Sequence, residues 1–241
     1  MRRLCLSLFL VAASTVASAA ALPPGVKQPQ LEIDLGDQES LQRGARTFIN
    51  YCLSCHSAAY MRYNRMGKDL GIDEELVKDN LLFAADKVGD LMKAVMPPED
   101  AKVWFGTAPP DLTLVARSRG PEWLYLYMTG FHREGGRWDN IVFPDVAMPH
   151  VLYEWQGEQR AVFKTMEDGS KQFDRFELVR PGSMKKEEYD AAMRDLVNFF
   201  VYLGEPAKLV RYRIGVYVLI FLGVFLIFTY LLKREYWKQL H

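Results

Sequence analysis

The chain has 241 residues, with 30 Lys and Arg against 30 Asp and Glu, so its net charge is zero; with no basic run, that balance argues against nucleic-acid binding. Three cysteines are too few for a disulfide framework, and four histidines supply no second close ligand pair for a structural zinc site. The balance hides an asymmetry: residues 22–205 hold 22 basic against 29 acidic side chains, about seven negative charges.

Residues 1–21 read as a secretory signal. Arg2 and Arg3 open it, Leu4 to Val11 form its apolar centre, and Ala17-Ser18-Ala19 offers small residues for cleavage after Ala19 or Ala21. The apolar run is too short to span a bilayer. Its removal takes Cys5 away and leaves Cys52 and Cys55 as the mature cysteines.

A single domain is expected over 22–205. Leu22 to Lys27 reads as extended. Glu39 to Tyr51 reads as a helix, since Leu41, Ala45, Phe48 and Cys52 recur at helical spacing, with Gly44 as a close-contact point. Asp73 to Lys78 and Asp86 to Val95 read as shorter helices, the second stopped at Met96-Pro97-Pro98. Asp111 is a candidate N-cap for a helix over Leu112 to Arg119, and Glu122 to Thr129 reads as another helix or, by its aromatic content, as a strand. Gly130 to Pro149 reads as an ordered loop, being rich in Gly, Pro and aromatic residues.

Val151 to Glu177 is the candidate strand region, with hairpins around Gln156-Gly157-Glu158 and Glu167-Asp168-Gly169-Ser170. Lys185 to Leu203 reads as an amphipathic helix stopped by Gly204-Glu205-Pro206. A short linker, 206–211, then leads into Tyr212 to Leu232. The 19 residues from Ile214 to Leu232 carry no charge. At ~1.5 Å per residue they match a ~30 Å hydrocarbon core, so 212–232 reads as a transmembrane helix. Residues 233–241 form a tail. Basic residues flank the span equally; the signal peptide sets the orientation, with the domain exported and the tail cytoplasmic.

Cys52-Leu53-Ser54-Cys55-His56 has the C-x-x-C-H spacing that attaches a c-type haem. Two thiols take the porphyrin vinyl groups as thioethers, and the neighbouring imidazole meets the iron. A dithiol oxidoreductase without haem is the competing use of the same cysteines. The second axial ligand decides between electron transfer and an open, ligand-binding iron. Met148 is preferred, because Phe143-Pro144-Asp145-Val146-Ala147-Met148-Pro149-His150 places it between prolines that can fix a loop. His150 is the competitor.

The sequence resembles the cytochrome c1 family, the haem subunit of the ubiquinol–cytochrome c oxidoreductase (bc1) complex. The likeness runs through Cys52–His56, Ala108-Pro109-Pro110-Asp111-Leu112 with Arg117 and Arg119 after it, Thr129-Gly130-Phe131, Phe143-Pro144, Met148-Pro149 and the single C-terminal anchor. It implies a mainly α, cytochrome c-like haem domain with long insertions, a small β-hairpin region and one transmembrane helix. It also implies one covalent haem c with His56 and Met148 as axial ligands, Pro109 and Pro110 lining it, and an arginine on a propionate, Arg119 before Arg117.

By the same resemblance the protein is an electron-transfer subunit and not itself an enzyme. It sits in the inner membrane with its haem domain in the periplasm, beside cytochrome b. It takes electrons from the Rieske iron–sulfur protein and passes them to a soluble or membrane-bound c-type cytochrome. The nearest rival is another anchored monohaem cytochrome of an oxidase or reductase. Thr129 to His132 holds no cysteine, so a disulfide of some relatives is missing.

Overall fold

A computed structural model describes residues 22–238; the signal segment 1–21 and the last three residues of the tail lie outside the described residues. The elements in chain order are α1 (Gln38–Tyr51), β1 (Ala58–Arg62), α2 (Tyr63–Leu70), α3 (Glu74–Asn80), β2 (Leu91–Met92), α4 (Pro98–Phe105), α5 (Val115–Arg119) and α6 (Pro121–Thr129). They continue as β3 (Phe131–Glu134), β4 (Arg137–Asn140), α7 (Tyr153–Gln156), β5 (Gly157–Thr165), β6 (Lys171–Pro181), α8 (Lys186–Gly204) and α9 (Lys208–Trp237). About half of the described residues are helical, and the strands form three separate antiparallel pairs, β1–β2, β3–β4 and β5–β6.

The core is built where α1 crosses α8. Asp37 starts α1 by accepting the Ser40 N–H at 3.0 Å, and Glu188 starts α8 by accepting the Lys185 N–H at 2.8 Å. Both helices then turn an apolar stripe inward. Phe48 meets Phe199 and Phe200 with ring centroids 5.8 Å apart, beside Leu41, Leu196 and Leu203. Gly44 marks the closest approach: a Cβ there would collide with the Asp195 carbonyl and lie 2.7 Å from Phe199 Cβ.

Polar groups fix the register of that crossing. Arg43 pairs with Asp195 at 2.6 Å across it, and the Tyr202 hydroxyl of α8 donates to Asp69 of α2 at 2.9 Å beside it. The buried Asn198 carboxamide donates to the Asp34 carbonyl at 2.7 Å, holding the extended N-terminal arm.

Several expected elements differ. Asp86 to Val95 is a run of turns around β2, which pairs with β1. The apolar spacing there is helical, but Lys87 N–H is captured by the Asp90 carboxylate and Ala94 N–H by the Ser57 hydroxyl, at 3.0 and 2.8 Å. Met92 is therefore a buried strand residue.

The helix expected over Leu112 to Arg119 contracts to α5. Asp111 is not its N-cap: the carboxylate accepts from Thr113 N–H and, on β1, from Ala59 N–H, both at 2.8 Å. The expected loop of 130–149 contains the hairpin β3–β4, whose turn, Gly135-Gly136, has positive φ at both residues. No hairpin forms at Gln156-Gly157-Glu158, where α7 passes into β5. The hairpin at 167–170 is present, with Met166 N–H bonded to the Ser170 carbonyl at 2.8 Å. Elements β1, α2 and α4 had no counterpart in the sequence reading.

Helix α9 is 30 residues long and begins at Lys208, inside the segment read as a linker. It is apolar and long enough to cross a membrane, and its most apolar stretch is unburied by the rest of the chain. Only 205–207 separate it from α8, with Arg211 paired to Glu205 at 2.6 Å across the junction.

Candidate functional site

Cys52 caps the C-terminus of α1, and the chain keeps turning: Cys55 and His56 N–H both bond to the Cys52 carbonyl, at 3.0 and 2.8 Å. This turn gathers two thiols and an imidazole from five consecutive residues. Both thiols are free, with Cys52 buried and Cys55 half-buried. Burial, with the neighbouring Cys55 adding to it, pushes the Cys52 thiol up to about 12. The Cys52 thiol therefore lacks the lowered pKa of an attacking thiolate.

The His56 ring is held by the segment that follows α4. Its Nδ1 lies 2.8 Å from the Pro110 carbonyl; a carbonyl only accepts, so Nδ1 carries the proton. Nε2 is left as the lone-pair nitrogen, the arrangement in which a second partner orients a metal-binding imidazole. Burial lowers the His56 pKa below its ordinary value, opposed by the Pro110 bond and Asp111, which keeps the ring neutral and able to ligate. The neighbouring chain is tied down on both sides: Leu112 N–H bonds to the Ser57 carbonyl at 2.8 Å, and Met96 N–H to the Ser54 carbonyl at 3.1 Å. Pro109 precedes this contact, half-buried.

Met148 stands apart from that turn, on the loop following β4. Its Sδ accepts a hydrogen bond from the Tyr127 hydroxyl of α6 at 3.4 Å. Asn140 fastens the loop to the helix: its carboxamide donates to the Tyr127 carbonyl at 2.7 Å and accepts Val142 N–H at 3.1 Å. Arg119 joins the same group. Its guanidinium lies 5.1 Å over the Trp123 ring, and Trp123 stacks on Tyr127 with centroids 5.1 Å apart. Arg117 points elsewhere, packing its Cγ against Gly204 at the end of α8. Both guanidinium groups are free of ion pairs among the described residues.

His150 is walled in. Its ring stacks on Phe131 at 4.6 Å with planes 2° apart and meets Trp138 edge-on at 4.9 Å. Neither ring nitrogen has a hydrogen-bond partner, although Gln156 lies near enough to oppose the fall in pKa, to about 4, that burial causes. The other buried methionines, Met61, Met66, Met92, Met128 and Met193, belong to the core. Of the candidates for a second axial ligand, Met148 alone combines partial exposure with a sulfur held in place. The same hairpin brings His132, Glu134 and Asp139 within 4.8 Å, a grouping that follows from the cross-strand pairing of His132 with Asp139.

The sequence-expected residues thus fall into two groups, Cys52, Cys55, His56 and Pro110 in one, Met148 and Arg119 in the other. They are joined through α5 and α6, without a direct hydrogen bond or ring contact between them. These residues fit a covalently attached haem: two thiols beside an imidazole of fixed tautomer, and a presented thioether. Tyr127, Trp123 and Asn140 were not anticipated; aromatic residues four apart on one helix were the available signal.

The Cytochrome C1 family model matches residues 83–240. Cytochrome c1 of Allochromatium vinosum is 49% identical over 246 aligned positions that span both chains completely. The ammonia monooxygenase gamma subunit of Nitrosomonas europaea is 44% identical over 97% of this chain and 98% of its own. Cytochrome c1 of Rhodospirillum rubrum is 24% identical over 84% of this chain and 82% of its own.

Proposed function

The chain belongs to the cytochrome C1 family, whose members carry covalently attached haem c, and from that membership we propose a membrane-anchored, single-haem electron carrier of a bc1 complex. In this reading the protein takes electrons from a Rieske iron–sulfur protein and delivers them to a c-type cytochrome. The observation that carries it is the His56 ring, neutral and fixed by Pro110 beside two free thiols.

Cys52 and Cys55 would hold the cofactor covalently, and His56 Nε2 and Met148 Sδ are the groups that would ligate its iron. The bound haem supplies reversible one-electron exchange. The chain's own contribution is placement and environment. His56 cannot rotate without breaking its bond to Pro110. Met148 is presented by a loop that Asn140 fastens to α6. Arg119, with no protein counter-ion, is the propionate partner in preference to Arg117, which packs on α8.

Helix α9 crosses the membrane and holds the domain against cytochrome b. Its uncovered apolar surface suits lipid and neighbouring helices. The signal segment places the haem domain in the periplasm and the C-terminus in the cytoplasm. The excess of seven acidic charges on 22–205 favours a basic acceptor and speeds its approach at low salt.

The test is a reduced-minus-oxidised spectrum of the membrane-purified protein, wild type and Met148→Leu. The wild type should show a c-type haem co-purifying with a b-type haem and an iron–sulfur centre. Met148→Leu should lose the methionine–iron absorption band, and its potential should fall. Retention of that band in the variant refutes the axial assignment. A second reading rests on the likeness to the ammonia monooxygenase gamma subunit; co-purification with monooxygenase subunits in place of a b-type haem would establish it.

A further inference from the structure

We propose that Tyr127 is a positioning residue that sets the reduction potential, through the hydrogen bond its hydroxyl donates to the Met148 sulfur. The inference rests on the reading of Met148 as axial ligand and adds a second residue to that side of the site.

The geometry is specific. The Tyr127 hydroxyl lies 3.4 Å from Met148 Sδ, an ordinary length for a donor to sulfur. The ring that carries the hydroxyl is held on three sides. Trp123 stacks on it at 5.1 Å, while Phe131 and Phe143 meet it edge-on at 5.2 and 6.4 Å. The backbone below is pinned as well, its carbonyl accepting from Asn140 at 2.7 Å.

A thioether sulfur has two lone pairs, one for a metal and one for a hydrogen bond. Donation from the phenol draws electron density off the sulfur. The oxidised iron needs that density more than the reduced iron does, so the bond favours the reduced form. Removing it should lower the potential while leaving both axial ligands in place. A net hydrogen bond of about 1 kcal/mol felt mainly by one oxidation state corresponds to about fivefold in the reduction equilibrium. At 59 mV per tenfold for one electron, that is about 40 mV.

The experiment is a spectroelectrochemical titration of the purified holoprotein as wild type, Tyr127→Phe and Tyr125→Phe. The last removes a hydroxyl two residues away, whose neighbours are Asp190 and Arg194 and not the sulfur. Tyr127→Phe should keep the methionine–iron band and shift the potential downward by about fivefold in equilibrium constant, and Tyr125→Phe should not shift it. An unchanged potential in Tyr127→Phe with the band intact overturns the inference alone. Equal shifts in both variants also overturn it, since any lost hydroxyl would then serve. Absence of the band from the wild type overturns the axial assignment and this inference together. Independently of any variant, the iron–sulfur stretch of the wild type in resonance Raman should move on transfer to D2O. No movement counts against a phenolic donor.

Discussion

His56 and Met148 are presented by opposite means. His56 closes a turn that continues α1, and α1 is clamped across the centre of the core by Phe48, Phe199 and Phe200. Its ring is then fixed by a main-chain carbonyl. Met148 stands on the loop after β4, its sulfur half-buried and positioned by side chains of α6 and β4. The first arrangement is as rigid as the core and leaves little to adjust. The second can change by one side chain without disturbing the fold, which makes it the side on which a potential can be tuned.

The largest expected effect tests how far the histidine side depends on the core. Gly44→Val places a branched side chain against the Asp195 carbonyl and Phe199 Cβ. Overpacking of this kind costs roughly 1–3 kcal/mol, and main chain on one side puts this site at the upper end. The thermal midpoint of the full protein in detergent should fall clearly, with less mature haemoprotein recovered, because α1 carries the attachment turn. A midpoint equal to wild type would mean that the α1–α8 crossing is looser than this packing implies.

Asn140→Ala addresses the methionine side. It removes the donor to the Tyr127 carbonyl and the acceptor for Val142 N–H, a loss of about 1–2 kcal/mol confined to the loop. On warming, the methionine–iron band should fade well below the temperature at which far-UV ellipticity is lost. Should band and ellipticity disappear together as in the wild type, the loop is part of the cooperative core and the contrast between the two sides fails.

The same contrast explains what could be read from the sequence. Cys52 to His56 needs only five adjacent residues, and α1 and α8 announce themselves by apolar spacing, so these were legible; the aromatic residues of α6 left helix and strand both open. The carbonyl of Pro110 and the hydroxyl of Tyr127 act across 54 and 21 residues of chain, and spacing carries no trace of such partners. Asp111 has the composition of an N-cap, but its carboxylate spans Thr113 and Ala59, a tertiary choice that overrode the local one. Asp86 to Val95 has helical apolar spacing, yet side chains of Ser57 and Asp90 capture its N–H groups. The Gly135-Gly136 turn was readable, since paired glycines between strand-forming residues are a hairpin signal. The surrounding Gly, Pro and aromatic residues concealed it.

The smallest effect concerns how α6, which carries Tyr127, is held to α8. Tyr125 faces α8, where burial and the Asp190 carboxylate push its phenol up to about 12 against the opposing Arg194 guanidinium, whose carbon lies 5.9 Å from the ring centroid. The folded state therefore prefers the neutral phenol, while the unfolded chain ionises near 10. Below pH 10 both states keep the proton and the contribution is complete; between about 10 and 12 only the unfolded state releases it, so stability falls as pH rises. Tyr127, Tyr189 and Tyr202 are raised too, so the wild type and Tyr125→Phe should both weaken in alkali. The informative quantity is their difference: denaturant midpoints measured at pH 9 and pH 11 should drop less for Tyr125→Phe. Parallel drops would show that Tyr125 ionises as readily in the folded protein as in the unfolded chain. Contact between α6 and α8 would then be open to water, and the methionine side would lack its support from the core.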